Sequence, residues 1–136
     1  MQGFGRKAVN EESGRKYTIV FEDHPGYLYA LVHGEEYDYE VLSGFLREIA
    51  SEVKARGFKQ VLIEENISAS ASEEDIYRAA VDLPEFGYAG IRMAYVDRFA
   101  DQREINEFGR KVAIDNGIDV RQFGDMSHAA AWLSGE

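Results

Sequence analysis

A chain of 136 residues with 45% hydrophobic and 12% aromatic content is one domain long, and apolar enough to bury about two-thirds of its unfolded surface. It carries 25 acidic against 15 basic residues, a formal charge of −10, which repels phosphate backbones and anionic lipid and so argues against nucleic acid and an electrostatic membrane anchor. With no cysteine there is no disulfide, thiolate metal site or cysteine nucleophile, and a cytoplasmic setting is expected.

Met1 to Lys16 hold three glycines and four basic residues without periodicity, and read as an N-terminal tail. They lack the apolar stretch of a signal peptide, and no later run approaches the roughly 18 apolar residues of a membrane span. Tyr17 to Glu22 and Tyr27 to His33 are β-branched and aromatic runs split by Asp23-His24-Pro25-Gly26. Pro-Gly suits the centre of a type II turn, so the two runs form an antiparallel hairpin.

From Asp38 to Arg56 the period changes to about 3.6: Leu42, Phe45, Leu46, Ile49 and Val53 share one helical face, and Gly57 closes the helix. Val61-Leu62-Ile63 is a short apolar strand of the kind found at the centre of a parallel sheet. It runs into Glu64 and Glu65, then the loop Ser68-Ala69-Ser70-Ala71, then Ser72-Glu73-Glu74-Asp75, which is patterned as a helix start. Ile76, Ala79, Ala80 and Leu83 form the buried stripe of that second helix, which Pro84 and Gly87 end. A strand at Ile91 to Val96, a helix opened by Asp101 to Glu104 and closed at Asn116-Gly117, a strand at Val120 to Phe123 and a helix capped by Asp125 complete the chain. The expected order is β-β-α-β-α-β-α-β-α: a single α/β domain over residues 17–136, with a mainly parallel five-stranded sheet and an antiparallel first strand.

The stretches VHGEEYDYEVLSGFLREIASEVKARGFKQVLIEE and VRQFGDMSHAAAWL, in that order of elements, resemble the SpoIIAA-like (STAS/SEC14-type) family of small bacterial proteins, mostly of unassigned function. The likeness runs from about Tyr17 to Leu133 and implies the STAS fold of anti-sigma-factor antagonists. Phosphorylatable STAS regulators carry an Asp-Ser-Ser/Thr-Gly type motif at the start of the second helix, whereas this chain has Ser-Ala-Ser-Glu-Glu-Asp. A phosphate on Ser70 or Ser72 would meet Glu73, Glu74 and Asp75, a repulsion that disfavours such a switch.

Ligands of parallel α/β sheets favour the carboxyl edge of the strands, where Glu64, Glu65, Ser68, Ser70, Ser72 and Glu73 are expected to gather as a binding edge. Tyr88, beside Phe86 and the Pro84 break, is expected to offer an exposed apolar contact. The leading expectation is a non-catalytic STAS-like regulatory or protein-interaction module with a protein partner or self-association. The alternative is a binder of a small apolar or lipid-like ligand, with tyrosines and Phe86 around it, as the SEC14-type resemblance implies. Third comes a hydrolytic or metal-assisted enzyme using crevice carboxylates. No catalytic motif, cofactor fingerprint or histidine spacing of a metal site is present; His33 and His128 are the pair that would have to converge for a metal, and His24 belongs to the hairpin turn.

Overall fold

In a computed structural model, which describes residues 7–9 and 16–135, six strands form one sheet in the order of the chain. The strands are β1 (Lys7–Val9), β2 (Tyr17–His24), β3 (Tyr27–Gly34), β4 (Gln60–Ile67), β5 (Arg92–Asp97) and β6 (Asp119–Phe123). Helices α1 (Tyr39–Ala55), α2 (Glu73–Leu83) and α3 (Arg103–Asp115) cross over between the parallel strands β3 to β6, and α4 (Met126–Leu133) follows the last strand. β2 is antiparallel to β3, joined through Pro25 and Gly26, whose φ of 89° is the left-handed value that a type II turn demands. The five expected strands are thus β2 to β6. β1, antiparallel to β2, is an addition from the stretch read as a tail, and three residues are too few for alternation to mark them as a strand. The remainder of that stretch, residues 1–6 and 10–15, lies outside the described residues.

Strand alternation sorts the core into two layers. Ile19, Phe21, Leu28, Ala30, Val32, Val61, Ile63 and Met93 face α1, α2 and α3, while Leu62, Ala94 and Val96 face Ala129 and Leu133 of α4. Because successive parallel strands always add on the same side of their predecessor, right-handed crossovers place all three connecting helices on one face. The strand order never reverses. The crevice that a doubly wound sheet opens at its reversal point, assumed in placing ligands at the carboxyl edge, therefore has no counterpart here.

Local signals set the helix ends. The Asp38 side chain accepts from the Val41 amide at the start of α1, and the Ser72 hydroxyl accepts from the Asp75 amide at the start of α2. Pro84 does not stop the chain's winding at once, since Pro84–Tyr88 continue as a π-helical turn until Gly87 takes a φ of 114°. The expected cap at Asp101 is not formed: Ala100–Gln102 make a 3-10 turn, α3 starts at Arg103, and Gln102 turns inward instead.

Tyr88 corrects the expectation of an exposed contact. It is fully buried, and its hydroxyl donates to the Leu46 carbonyl of α1 over 2.7 Å. Phe86 is also buried, beneath the Arg47 guanidinium at 4.6 Å. The π turn carries both rings inward, because it swings the chain back across α1 after the Pro84 position. Replacing Tyr88→Phe removes only the hydroxyl and should lower stability by about 1 kcal/mol in urea unfolding; an unchanged midpoint would show that this bond contributes nothing.

Candidate functional site

β4 ends on two adjacent carboxylates, and a strand must point them to opposite faces of the sheet. Glu64 lies on the α4 face. Tyr29 of β3 donates its hydroxyl to Glu64 Oε1 at 2.6 Å, and Arg98, just beyond β5, donates Nε–H to Oε2 at 2.7 Å. Burial, then the Glu64 carboxylate, push the Tyr29 phenol well above its ordinary range, so Tyr29 remains a donor at every physiological pH. Glu64 is 7% exposed but saturated by these two partners.

Glu65 lies on the other face, with no exposure at all. The hydroxyl of Tyr37, also buried, donates to Glu65 Oε2, while Oε1 has no partner. Asp97 is its register neighbour on β5 and therefore shares its face. Asp97 is the better solvated of the two: it accepts from the Phe99 amide at 2.9 Å and from the Asn106 carboxamide at 2.6 Å. Burial, then the Asp97 charge, raise the Glu65 pKa well above the usual carboxylate range; burial also raises Asp97, against the hydrogen bonds that favour its ionised form. The proton therefore resides on Glu65 and the charge on Asp97.

The loop after β4 continues the strand's alternation. Ile67 and Ala71 are buried and Ala69 is half-buried, whereas Ser68, Ser70 and Ser72 are exposed. Its first residues are held by Gln102, 2% exposed, whose amide donates to the carbonyls of Ile67 and Ala69 at 3.1 Å each. Ser68 borders an open groove of about 600 Å³ together with Thr18, His33, Glu35, Asn66 and Phe99. Within it the Asn66 side-chain amide nitrogen and His33 Nδ1 lie within hydrogen-bond distance, at 3.0 Å. Glu73 and Glu74 are exposed on the first turn of α2, beside Ser72.

Of the residues expected at a binding edge, Ser68, Ser70, Ser72 and Glu73 form one exposed strip. Glu64 and Glu65 are withdrawn from it into separate internal networks, and Tyr88 belongs to the core on α1. The two histidines considered for a metal are engaged elsewhere, His33 with Asn66 and His128 with Asp125 at 2.8 Å. Among the described residues no group of three or more His, Asp or Glu side chains is arranged to hold a metal ion. His24 is half-buried rather than solvated, stacked on Tyr27 at 5.0 Å and bonded to Glu22. Sequence reasoning counted Asp97 only among the carboxylates of the crevice edge and gave no role to Arg98, Asn106 or Gln102 there. The parity of Asp97 with Glu65 across parallel strands is the signal that would have paired them.

The Glu65 proton has a consequence for stability. A carboxyl whose folded-state pKa is raised binds more protons in the native than in the unfolded chain, so stability is full below the ordinary Glu value and falls as pH rises through the raised one. Glu65→Gln retains the acceptor for Tyr37 and a donor toward Asp97 without the titration. The variant should match or exceed the wild type at pH 8, by about 1.4 kcal/mol per pH unit between the ordinary Glu value and the raised native one or pH 8, whichever is lower, and should lose this component of the pH slope. Parallel pH profiles for the two proteins would contradict a protonated Glu65.

No protein-family model matches the chain, and no curated protein matches it in sequence. Among solved structures, an anti-sigma factor antagonist from Mycobacterium paratuberculosis superposes with a TM-score of 0.57 at 18% identity, over 87% of this chain and 94% of that one. The chain is thus similar in architecture, though not in most of its residues, to that protein. Its sheet, crossover helices and closing helix have the STAS fold of an anti-sigma factor antagonist.

Proposed function

We propose that this protein is a non-catalytic STAS-like interaction module that engages a protein partner through the strip Ser68 to Glu74 and the adjoining groove. The observation that carries the proposal is the division at the end of β4. The carboxylates with potential for chemistry, Glu64 and Glu65, are occupied internally, while the serines and the acids of the first α2 turn are exposed on a pinned segment. A rigidly held, exposed strip suits recognition, because little side-chain or loop entropy is lost on binding.

The charge of the edge indicates the partner's chemistry. Glu35, Glu36, Glu73 and Glu74 are exposed at the carboxyl end of the sheet, Glu36 being paired with Lys16 at 3.3 Å. A basic protein segment is complementary to that surface, and its association would be steered electrostatically and weakened by salt. The fold neighbour is an anti-sigma factor antagonist, which supports the same class of role here. A cytoplasmic, bacterial setting is part of this proposal.

The test must leave the internal carboxylates alone, since reversing their charge would unfold the sheet's end. Affinity capture from the source cell with the wild type and with a Glu35→Lys/Glu73→Lys/Glu74→Lys variant is expected to show a partner retained only by the wild type. That partner should elute as salt is raised above about 0.15 M. Identical partner profiles for the two proteins would overturn the assignment, and a retained protein that proves to be a second copy of this chain would make the contact a self-association.

A further inference from the structure

The outer side of the α2–α3 pair carries an aromatic surface that the core does not use. Both helices cross over between parallel strands in the same sense, and so run side by side in one direction. They approach closely at Gly109, where an added Cβ would lie 2.8 Å from Ile76 Cγ2. The next residue along α2 and the preceding one on α3 both carry rings. Tyr77 stacks on Phe108 with centroids 6.5 Å apart and planes inclined by 30°. Ala113 is the buried side chain of α3, whereas Phe108 is half-buried and Tyr77 is 51% exposed. One face of the Tyr77 ring is therefore turned to Phe108 and the other is open.

Charge accompanies the rings. Glu73 and Glu104 each stand four residues before one of them, a spacing that puts each carboxylate on the same helix face as its ring, one turn nearer the N-terminus. Because the rings meet across parallel helices, the two exposed acids lie side by side as well. The fold itself shows which group suits such a combination. Phe21, Tyr39, Phe86, Phe123 and Trp132 each lie beneath an arginine of this chain, with the guanidinium 3.8 to 5.4 Å from the ring centroid. Arg56 uses both elements at once, lying over Phe21 while it donates to Glu52 at 2.8 Å and to Asp23 at 2.6 Å. Among the described residues no guanidinium is placed in this way over Tyr77.

We propose that the Tyr77–Phe108 patch is the docking site for an arginine of a basic protein segment, its guanidinium stacked on the open face of Tyr77 and donating to Glu73 and Glu104. Arginine fits better than lysine, because a planar guanidinium can stack on a ring and still direct N–H groups at carboxylates. The inference rests on the reading of Ser68 to Glu74 as a partner edge: Glu73 belongs to both surfaces, and a segment lying on the strip continues along α2 to Tyr77. A second copy of this chain is disfavoured as the occupant by charge, since it would bring the same acids and a formal charge of −10 to the patch.

The probes are amidated hexa-arginine and hexa-lysine peptides at about 0.05 M salt, followed through the ring resonances of Phe108, which every variant retains. Hexa-arginine should give a saturable shift and bind about threefold tighter than hexa-lysine. Tyr77→Leu, which keeps an apolar side chain and removes the ring, should abolish that preference, and Tyr77→Phe should restore it. Glu73→Gln/Glu104→Gln should weaken both peptides. Equal affinity for the two peptides in the wild type, an arginine preference that survives in Tyr77→Leu, or a shift that never saturates would overturn the site. Capture from the source cell separates this inference from the one beneath it. A partner lost by the charge-reversed strip variant but fully retained by Tyr77→Leu would overturn the arginine site and leave the strip standing. Identical capture by the wild type and the charge-reversed variant would overturn the strip, while the peptide titration still decides the Tyr77 site.

Discussion

The end of this sheet depends on a carboxylic acid that has been taken out of water. An ionised Glu65 at zero exposure would carry an unaffordable desolvation cost; as a neutral acid among Tyr37, Asp97 and the core it becomes a hydrogen-bonding group like any other. Tyr37 precedes α1 and Asp97 closes β5, so keeping the proton in place ties two connections to the central strand. Glu64, one residue earlier, ties β3 and the end of β5 to the same strand on the opposite face, through Tyr29 and Arg98. Two neighbouring residues of one type thus enter separate networks because alternation gives them different surroundings.

That arrangement determines what is left for recognition. With both carboxylates committed inward, the chain emerging from β4 keeps its two-residue period for five further positions, alanines inward and serines outward, and Gln102 fastens it to the turn before α3. A loop of small polar residues would ordinarily be mobile. Here the alternation and two buried hydrogen bonds give it a defined outer face, which makes it a recognition surface rather than a tether.

The fold was legible where one local signal decided the outcome. Hydrophobic period, the Pro25-Gly26 turn and the caps at Asp38, Ser72 and Asp125 sufficed for five strands and four helices. It was illegible where the outcome rested on a distant partner. Lys7–Val9 is a strand because β2 offers an edge, and the start of α3 moved because Gln102 reaches Ile67 and Ala69, more than 30 residues earlier in the chain. Tyr88 could be named as an aromatic near a break, but its direction depended on a π turn folding it under α1. The candidate edge divided in the same way: the serines and Glu73 needed only their own alternation and cap, whereas the fates of Glu64 and Glu65 depended on Tyr29, Tyr37, Asp97 and Arg98 from other elements.

The tight end of the sheet and the loose seat of α3 are also physically connected. Asn106 of α3 donates to Asp97, the base beside Glu65, while Tyr37 donates to Glu65 itself. Gln102, immediately before α3, holds the start of the serine strip. The seating of α3, the least buried of the crossover helices, therefore bears both on the Asp97 side of the buried acid and on the anchoring of the exposed segment. Such a connection requires a contiguous set of contacts, and α3 with the turn before it supplies one through Asn106 and Gln102.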